Sequence, residues 1–229
     1  MVSFFSNKLI PVHNVNGSLN VKAIGMACDL ISKGGILGVP TDTIYGLIGL
    51  AQEPSVVSRI YQIKGRLNCK PIAICLSNVN EISKWSIVTV DHKILNALLP
   101  GPYTLIFERS PQLNPLLNPE TNSIGIRIPD HPFILKLTQQ IAEPLALTSA
   151  NISDKPSCTQ VDEFHELWSN LDAVLDGGKL TGDPNKLGST VIDLSTKGYF
   201  KIIRPGCAYN EALKILETQF GLLKSAIET

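Results

Sequence analysis

The sequence predicts a single α/β domain with a mixed sheet, and three observations carry that expectation. Apolar runs of strand length alternate with stretches of helical spacing from Gly17 to Gly221. Several apolar runs follow one another with no helix between them, so the sheet is not purely parallel. No long linker, low-complexity tract or internal repeat divides the 229 residues, 44% of which are hydrophobic, enough for one large core.

The first residues, "MVSFFSNKLIPVHN", read as a ragged strand. Between Gly17 and Lys33, the residues Val21, Ile24, Ala27, Cys28 and Ile31 keep helical spacing, and Gly34-Gly35 ends that helix with a left-handed cap. Ile36 to Val39 is a buried strand stopping at Pro40, and "TDTIYGLIGLA" is a loop and a second strand. Pro54 opens a helix through "SVVSRIYQIK", where its missing N–H costs little. Pro71–Leu76 is a strand, and short helices are expected near Val79–Trp85 and Asp91–Leu98. After "PGP", Tyr103–Glu108 and Ser123–Ile128 are strands and Pro132–Ala142 a helix. Leu145–Leu147 is a strand running into "TSAN", and Val161–Ser169 is a helix. Three strands follow, at Ala173–Leu175, Thr190–Leu194 and Phe200–Ile203, then a helix from Asn210 to Phe220.

Composition excludes several classes of function. Lys plus Arg equals Asp plus Glu at 20 each, which argues against a broad basic face that coats nucleic acid. A small anion held in a cleft needs only local charge. The five cysteines are widely spaced, with no C-x-x-C, and read as reduced thiols; the four histidines are scattered, so no metal site is expected. No apolar run reaches the length of a membrane span. The N-terminus is a poor secretory signal and a weak transit peptide.

Five loops at predicted strand ends hold the polar groups, where open α/β sheets place ligands. "PTDTIYGL" puts two hydroxyls and an acid beyond a buried strand; they serve a ligand or bond their own backbone. "KGRLNCKP" carries Lys64, Arg66 and Lys70 with no acid among them. A helix dipole accounts for one such cation, whereas three suit phosphate oxygens. In "SIGIRIP", Ile124, Ile126 and Ile128 face one side of a strand and Ser123, Gly125 and Arg127 the other. A buried arginine costs several kcal/mol unless paired, so Arg127 meets a structural acid such as Asp130 or an anionic ligand. "LTSANIS" offers hydroxyls and an amide to a nucleotide or to a helix N-terminus. "LGSTVIDL" and "IIRPG" place Ser189 at a strand start and Arg204 at a strand end. Together these describe a pocket for a phosphorylated ligand and a small polar molecule. Neither a G-x-x-x-x-G-K-[ST] nor a G-x-G-x-x-G motif occurs.

"PTDTIYGL", "KGRLNCKPIAICL", "LLPGPYTLIF", "GIRIPDHPF", "LTSAN", "LGSTVIDL" and "IIRPGCA" occur in this order. The pattern resembles the YrdC family of threonylcarbamoyl-adenylate synthases from about Gly17 to Cys207. The resemblance implies a twisted mixed sheet flanked by helices around a basic cavity, with residues 1–16 as an N-terminal extension, 17–207 as the catalytic domain and 208–229 as a C-terminal helix and tail. The additional C-terminal domain of longer members is not expected. It implies a nucleotidyltransferase that makes threonylcarbamoyl-AMP and pyrophosphate from L-threonine, bicarbonate and ATP, with Mg²⁺ accompanying the ATP. Downstream transferase machinery then carries the threonylcarbamoyl group to N6 of adenosine 37 in tRNA, so tRNA is an indirect partner. A cytoplasmic location is implied, with a mitochondrial pool left open.

By this resemblance Thr41, Arg127, Leu147 and Ser189 serve the threonine, with Thr43 a neighbour of Thr41. Lys64, Asn68, Ser123, Ser149, Asn151, Ser157 and Arg204 serve ATP, and Lys64, Arg66 and Arg204 stabilise charge during catalysis. One departure is Cys75, where many bacterial and archaeal members carry His, so no histidine role transfers and a small buried thiol is expected. The competing expectation is an RNA-binding module that uses the same cavity without catalysis. Balanced charge and an aromatic content of 6% count against it.

Overall fold

The computed structural model describes residues 8–65, 71–153, 155–181 and 183–225. In chain order they form β1 (Leu9–Pro11), α1 (Val21–Ser32), β2 (Leu37–Val39), β3 (Gly46–Leu50), α2 (Pro54–Ile63), β4 (Ala73–Cys75), α3 (Ile82–Trp85), β5 (Ser86–Ile87), α4 (His92–Leu98), β6 (Tyr103–Arg109), β7 (Ser123–Arg127), α5 (Pro132–Ile141), β8 (Leu145–Ser149), β9 (Ala173–Asp176), β10 (Thr190–Asp193), β11 (Tyr199–Arg204), α6 (Tyr209–Leu213) and β12 (Leu223–Lys224). One sheet runs in the order β1-β9-β2-β3-β8-β4-β7-β6-β10-β11-β12, with β5 added beside β6. Parallel pairs such as β4–β7 and β6–β10 alternate with antiparallel ones such as β3–β8 and β6–β7, so the sheet is mixed as expected.

Local chemistry sets most boundaries. The Asn20 side chain accepts from Ala23 N–H at the start of α1. At its end Gly34 N–H donates to the Ile31 carbonyl and Gly35 N–H to that of Leu30, the paired closure that a left-handed Gly34 at φ 79° permits. Pro54 and Pro132 occupy first-turn positions of α2 and α5. Two expected helices differ in kind. Val161–Asn170 forms 3-10 turns interrupted at Phe164, and the last helix passes from α6 into a π turn over Lys214–Gln219.

The two faces of the sheet are covered unequally. On one face, α2, α3, α4, the 3-10 segment and the π turn after α6 bury Val57, Ile60, Trp85, Leu95, Phe164 and Leu216 against Leu47, Ile74, Leu105, Phe107, Ile126 and Ile192. On the other, α1 and α5 pack Ala27, Ile31, Phe133 and Leu137 over Leu37, Val39, Ile48, Leu145 and Leu175. That second layer stops near β4. Beyond it, the side chains of β7, β6, β10 and β11 on this face line an open cavity. Among the described residues no helix is long and apolar enough to cross a membrane.

Candidate active site

The cavity holds about 440 Å³, and strand periodicity sets its floor. Ile124 and Ile126 turn to the core, while Ser123, Gly125 and Arg127 turn to the cavity, as the alternation in "SIGIR" predicts. Cys75 on β4 pairs with Arg127 on β7, and one step along the β6–β7 register brings Thr104 level with Arg127. Val191 on β10 pairs with Thr104, and Arg204 on β11 pairs with Val191. Arg127 and Arg204 therefore stand on one row, three strand spacings or roughly 14 Å apart at the backbone. Between them lie only Thr104 and Val191. In the next row, Ala73 and Gly125 leave the floor hollow. A β-carbon on Gly125 would come 2.9 Å from the Thr104 methyl, so side-chain volume here is tightly limited.

The cations are held in different ways. Arg127, 8% exposed, donates from Nη2 to Asp42 Oδ1 at 2.9 Å and to Thr43 Oγ1 at 3.2 Å. Its buried Nε has no partner. The acid that meets Arg127 is thus Asp42, while Asp130 contributes its backbone N–H to Asp42 Oδ2 at 3.0 Å. Burial raises the Asp42 carboxyl above its ordinary range, with Arg127 and the Asp130 N–H pulling the other way. Arg204 donates to the Ser189 carbonyl at 3.0 Å, and burial, then the charge of Arg127, lowers its pKa. Lys64, at the end of α2, sends Nζ to the carbonyls of Ser149 at 2.7 Å and of Asn151. Lys155, also on the lining, pairs with Glu166 at 2.9 Å in a solvent-exposed bridge.

Lys64, Ser123, Arg127, Leu147, Ser149, Asn151, Ser157, Ser189 and Arg204 all line this one cavity. Ser189 Oγ lies 2.7 Å from Thr104 Oγ1 in the floor. Thr41 stands behind the wall at 1% exposure, with its hydroxyl donated to the Ile44 carbonyl at 2.6 Å and 3.2 Å from Thr43 Oγ1. Thr41 therefore supports the loop that bears Thr43 and Asp42. Arg66 and Asn68 lie outside the described residues, though the flanking Lys64 and Pro71 both line the cavity. Cys75 is fully buried, and burial pushes its thiol up to about 12.

Sequence reasoning missed Asp42 as the partner of Arg127, and it missed Thr104, Ala73, Gly46 and Lys155 as lining. The alternation in "YTLIF", which turns Leu105 and Phe107 to the core, was the signal that could have found Thr104. No local signal pointed to Lys155. Among the described residues the lining contains no Asp, Glu, His or Cys, and no cluster of three or more such residues suits a metal. The described protein atoms therefore do not fit a resident Mg²⁺ site of the carboxylate type.

A family profile described as "Telomere recombination", that of Sua5, YciO and YrdC, matches residues 29–206. The threonylcarbamoyl-AMP synthase of Mus musculus is 47% identical over 208 residues, which span 89% of this chain and 74% of that one. The Homo sapiens threonylcarbamoyl-AMP synthase is 46% identical with the same coverage. The crystal structure of P. abyssi Sua5 complexed with L-threonine superposes with a TM-score of 0.82 at 27% identity, covering 95% of this chain and 62% of that chain. A fold, an ordered set of strand-end motifs and a match over most of its length thus agree: this chain belongs to the Sua5/YciO/YrdC family.

Proposed function

We propose that the chain is a threonylcarbamoyl-AMP synthase, which joins L-threonine, bicarbonate and ATP and releases pyrophosphate. The observation that carries this reading is the single cavity lined by Lys64, Arg127, Lys155 and Arg204 with no acid among its described lining residues. Its volume falls in the range of small-molecule sites, which favours that reading over an RNA-binding module. The names of the mammalian relatives and the threonine held by P. abyssi Sua5 supply the substrate class.

Arg127 receives the threonine carboxylate. It lines the cavity, and Asp42 and Thr43 engage only its Nη2 among the described contacts. Leu147 and the paired hydroxyls of Ser189 and Thr104 bound the same end of the cavity. Lys64 and Arg204 flank the triphosphate, with Ser123, Ser149, Asn151 and Ser157 along the nucleotide. The threonine amine bonds to the bicarbonate carbon as water leaves, giving a carbamate whose oxygen attacks the α-phosphorus as pyrophosphate leaves. Negative charge shifts onto the leaving phosphates, so the protein's work is positioning and cationic stabilisation. Mg²⁺ would accompany ATP as part of the substrate and would add positive charge to the triphosphate, with no described lining carboxylate to hold it. The described lining supplies no carboxylate or imidazole base, so protons pass to water or to the substrates. The product is a mixed anhydride, activated for transfer to an amine such as N6 of the tRNA adenosine.

Purified protein should release pyrophosphate only when threonine and bicarbonate are both present, and mass spectrometry should show threonylcarbamoyl-AMP. Equal turnover without threonine would overturn the reading.

A further inference from the structure

We infer that Asp42 is a positioning residue for Arg127, which it and Thr43 hold by Nη2 so that the guanidinium is fixed in one orientation for the ligand carboxylate. The inference rests on the synthase reading above. Four observations support it. Both partners of the Arg127–Asp42 pair are almost fully buried, with side chains 9% and 8% exposed, so this is not a solvent-screened surface contact. Asp42 is itself fixed, because its second oxygen accepts the Asp130 N–H at 3.0 Å. Thr43 supplies a second acceptor to the same Nη2, and Thr41 secures that hydroxyl from behind at 3.2 Å. Finally, Arg127 itself lines the cavity, so the pair with Asp42 links the loop after β2 directly to the site.

The charge count agrees. Arg127 and Arg204 feel each other across the cavity, and burial together with Arg127 weakens the hold of Arg204 on its proton. Without an internal carboxylate, the buried guanidinium of Arg127 would face the more exposed one of Arg204 with no opposite charge beside it. Asp42 offsets one of them. It does so from behind the wall and not from the cavity lining, so it leaves room for the substrate anion. An arginine side chain has several rotatable bonds, and a guanidinium fixed at one nitrogen loses less freedom on binding.

The test is a double-mutant cycle on threonine binding and turnover. Asp42→Asn keeps the shape and removes the charge. It should raise the threonine KM and the threonine Kd by calorimetry about 10-fold, the scale of an outer-shell orienting partner, with the ATP KM within about 2-fold. In an Arg127→Ala background the same change should add nothing further, because there is no guanidinium left to orient. Thr43→Val, which removes only the second acceptor, should shift the threonine constants the same way by a smaller factor, and carries the test if Asp42→Asn does not fold. Equal threonine constants in wild type and both single variants would overturn the inference while leaving the synthase reading intact. So would an Asp42 effect that persists in full without Arg127. A wild-type protein that binds no threonine would instead remove the synthase reading itself.

Discussion

One face of the sheet is covered in two different ways along its width, and the contrast explains where the site lies. Over β9, β2, β3 and β8, helices α1 and α5 bury Leu37, Val39, Ile48 and Leu145 under Ala27, Ile31, Phe133 and Leu137. Over β7, β6, β10 and β11 the same face carries Ser123, Gly125, Arg127, Thr104, Val191 and Arg204 and borders the cavity. Both halves share one backbone ladder and one opposite core. The covered half spends its side chains on apolar area removed from water. In the other half, small residues hollow the floor, the buried Arg127 holds Asp42 and the more exposed Arg204 holds the Ser189 carbonyl. Stability should therefore concentrate in the first half and ligand recognition in the second.

The most disruptive way to test the contrast is Phe133→Ala in the covered half. Phe133 is fully buried, and its truncation should cost about 3–5 kcal/mol. Denaturant unfolding should show that loss, with threonine and ATP constants of the folded enzyme close to wild type. A matching rise in the threonine KM would mean that the two halves are not separable.

Arg127 is the corresponding probe of the other half. Truncating one partner of a buried charge pair costs roughly 2–5 kcal/mol, so Arg127→Ala should lower kcat/KM for threonine about 30-fold or more. It should also lower the melting temperature, because Asp42 would keep a buried charge without its partner. Arg127→Lys sharpens the point. It keeps a charge near Asp42 and loses the planar fork, so the threonine KM should rise far more than the ATP KM. An unchanged threonine KM with a lowered melting temperature would make Arg127 a structural residue only.

A smaller effect belongs to His131, the residue before α5. Its Nδ1 is buried without a partner, and burial, then the nearby charge of His13, lowers its pKa to about 4. The unfolded chain, with an ordinary imidazole, then binds more protons than the folded one between about pH 6.5 and pH 4, so the stability held above this window is lost as pH falls through it. Since some of the ring meets solvent, the expected loss is on the order of 2 kcal/mol. His131→Asn should flatten the melting-temperature profile over that range, and an equally steep profile in the variant would assign the acid sensitivity to other groups.

The motifs of the sequence reached the cavity because each sits at the end or on one face of a strand. Period-two alternation is a local property, so Ser123, Gly125 and Arg127 declared their common face without knowledge of any neighbour. The Gly34-Gly35 stop and the first-turn prolines were legible for the same reason. The apolar spacing of Val161–Ser169 predicts a helix without specifying its kind, and the 3-10 turns observed over Val161–Asn170 escape it because both helix types place residues three apart on one face.

What the tertiary structure decided was partnership. The sequence by itself determined that Arg127 would be buried on the polar face of an apolar strand and would need an anion. Asp130, three residues away, was the nearest acid along the chain. The fold instead brings Asp42 across 85 residues to Arg127 and assigns Asp130 only the backbone N–H that anchors it. Strand order made that choice. It sets β3, β8 and β4 between β2 and β7, which run in opposite directions, so the acid comes from the loop after β2, which reaches Arg127, and not from a neighbouring strand. Local periodicity fixes the direction of a side chain, while the group it meets depends on how the strands and their loops are arranged, and that follows from the packing of the whole chain.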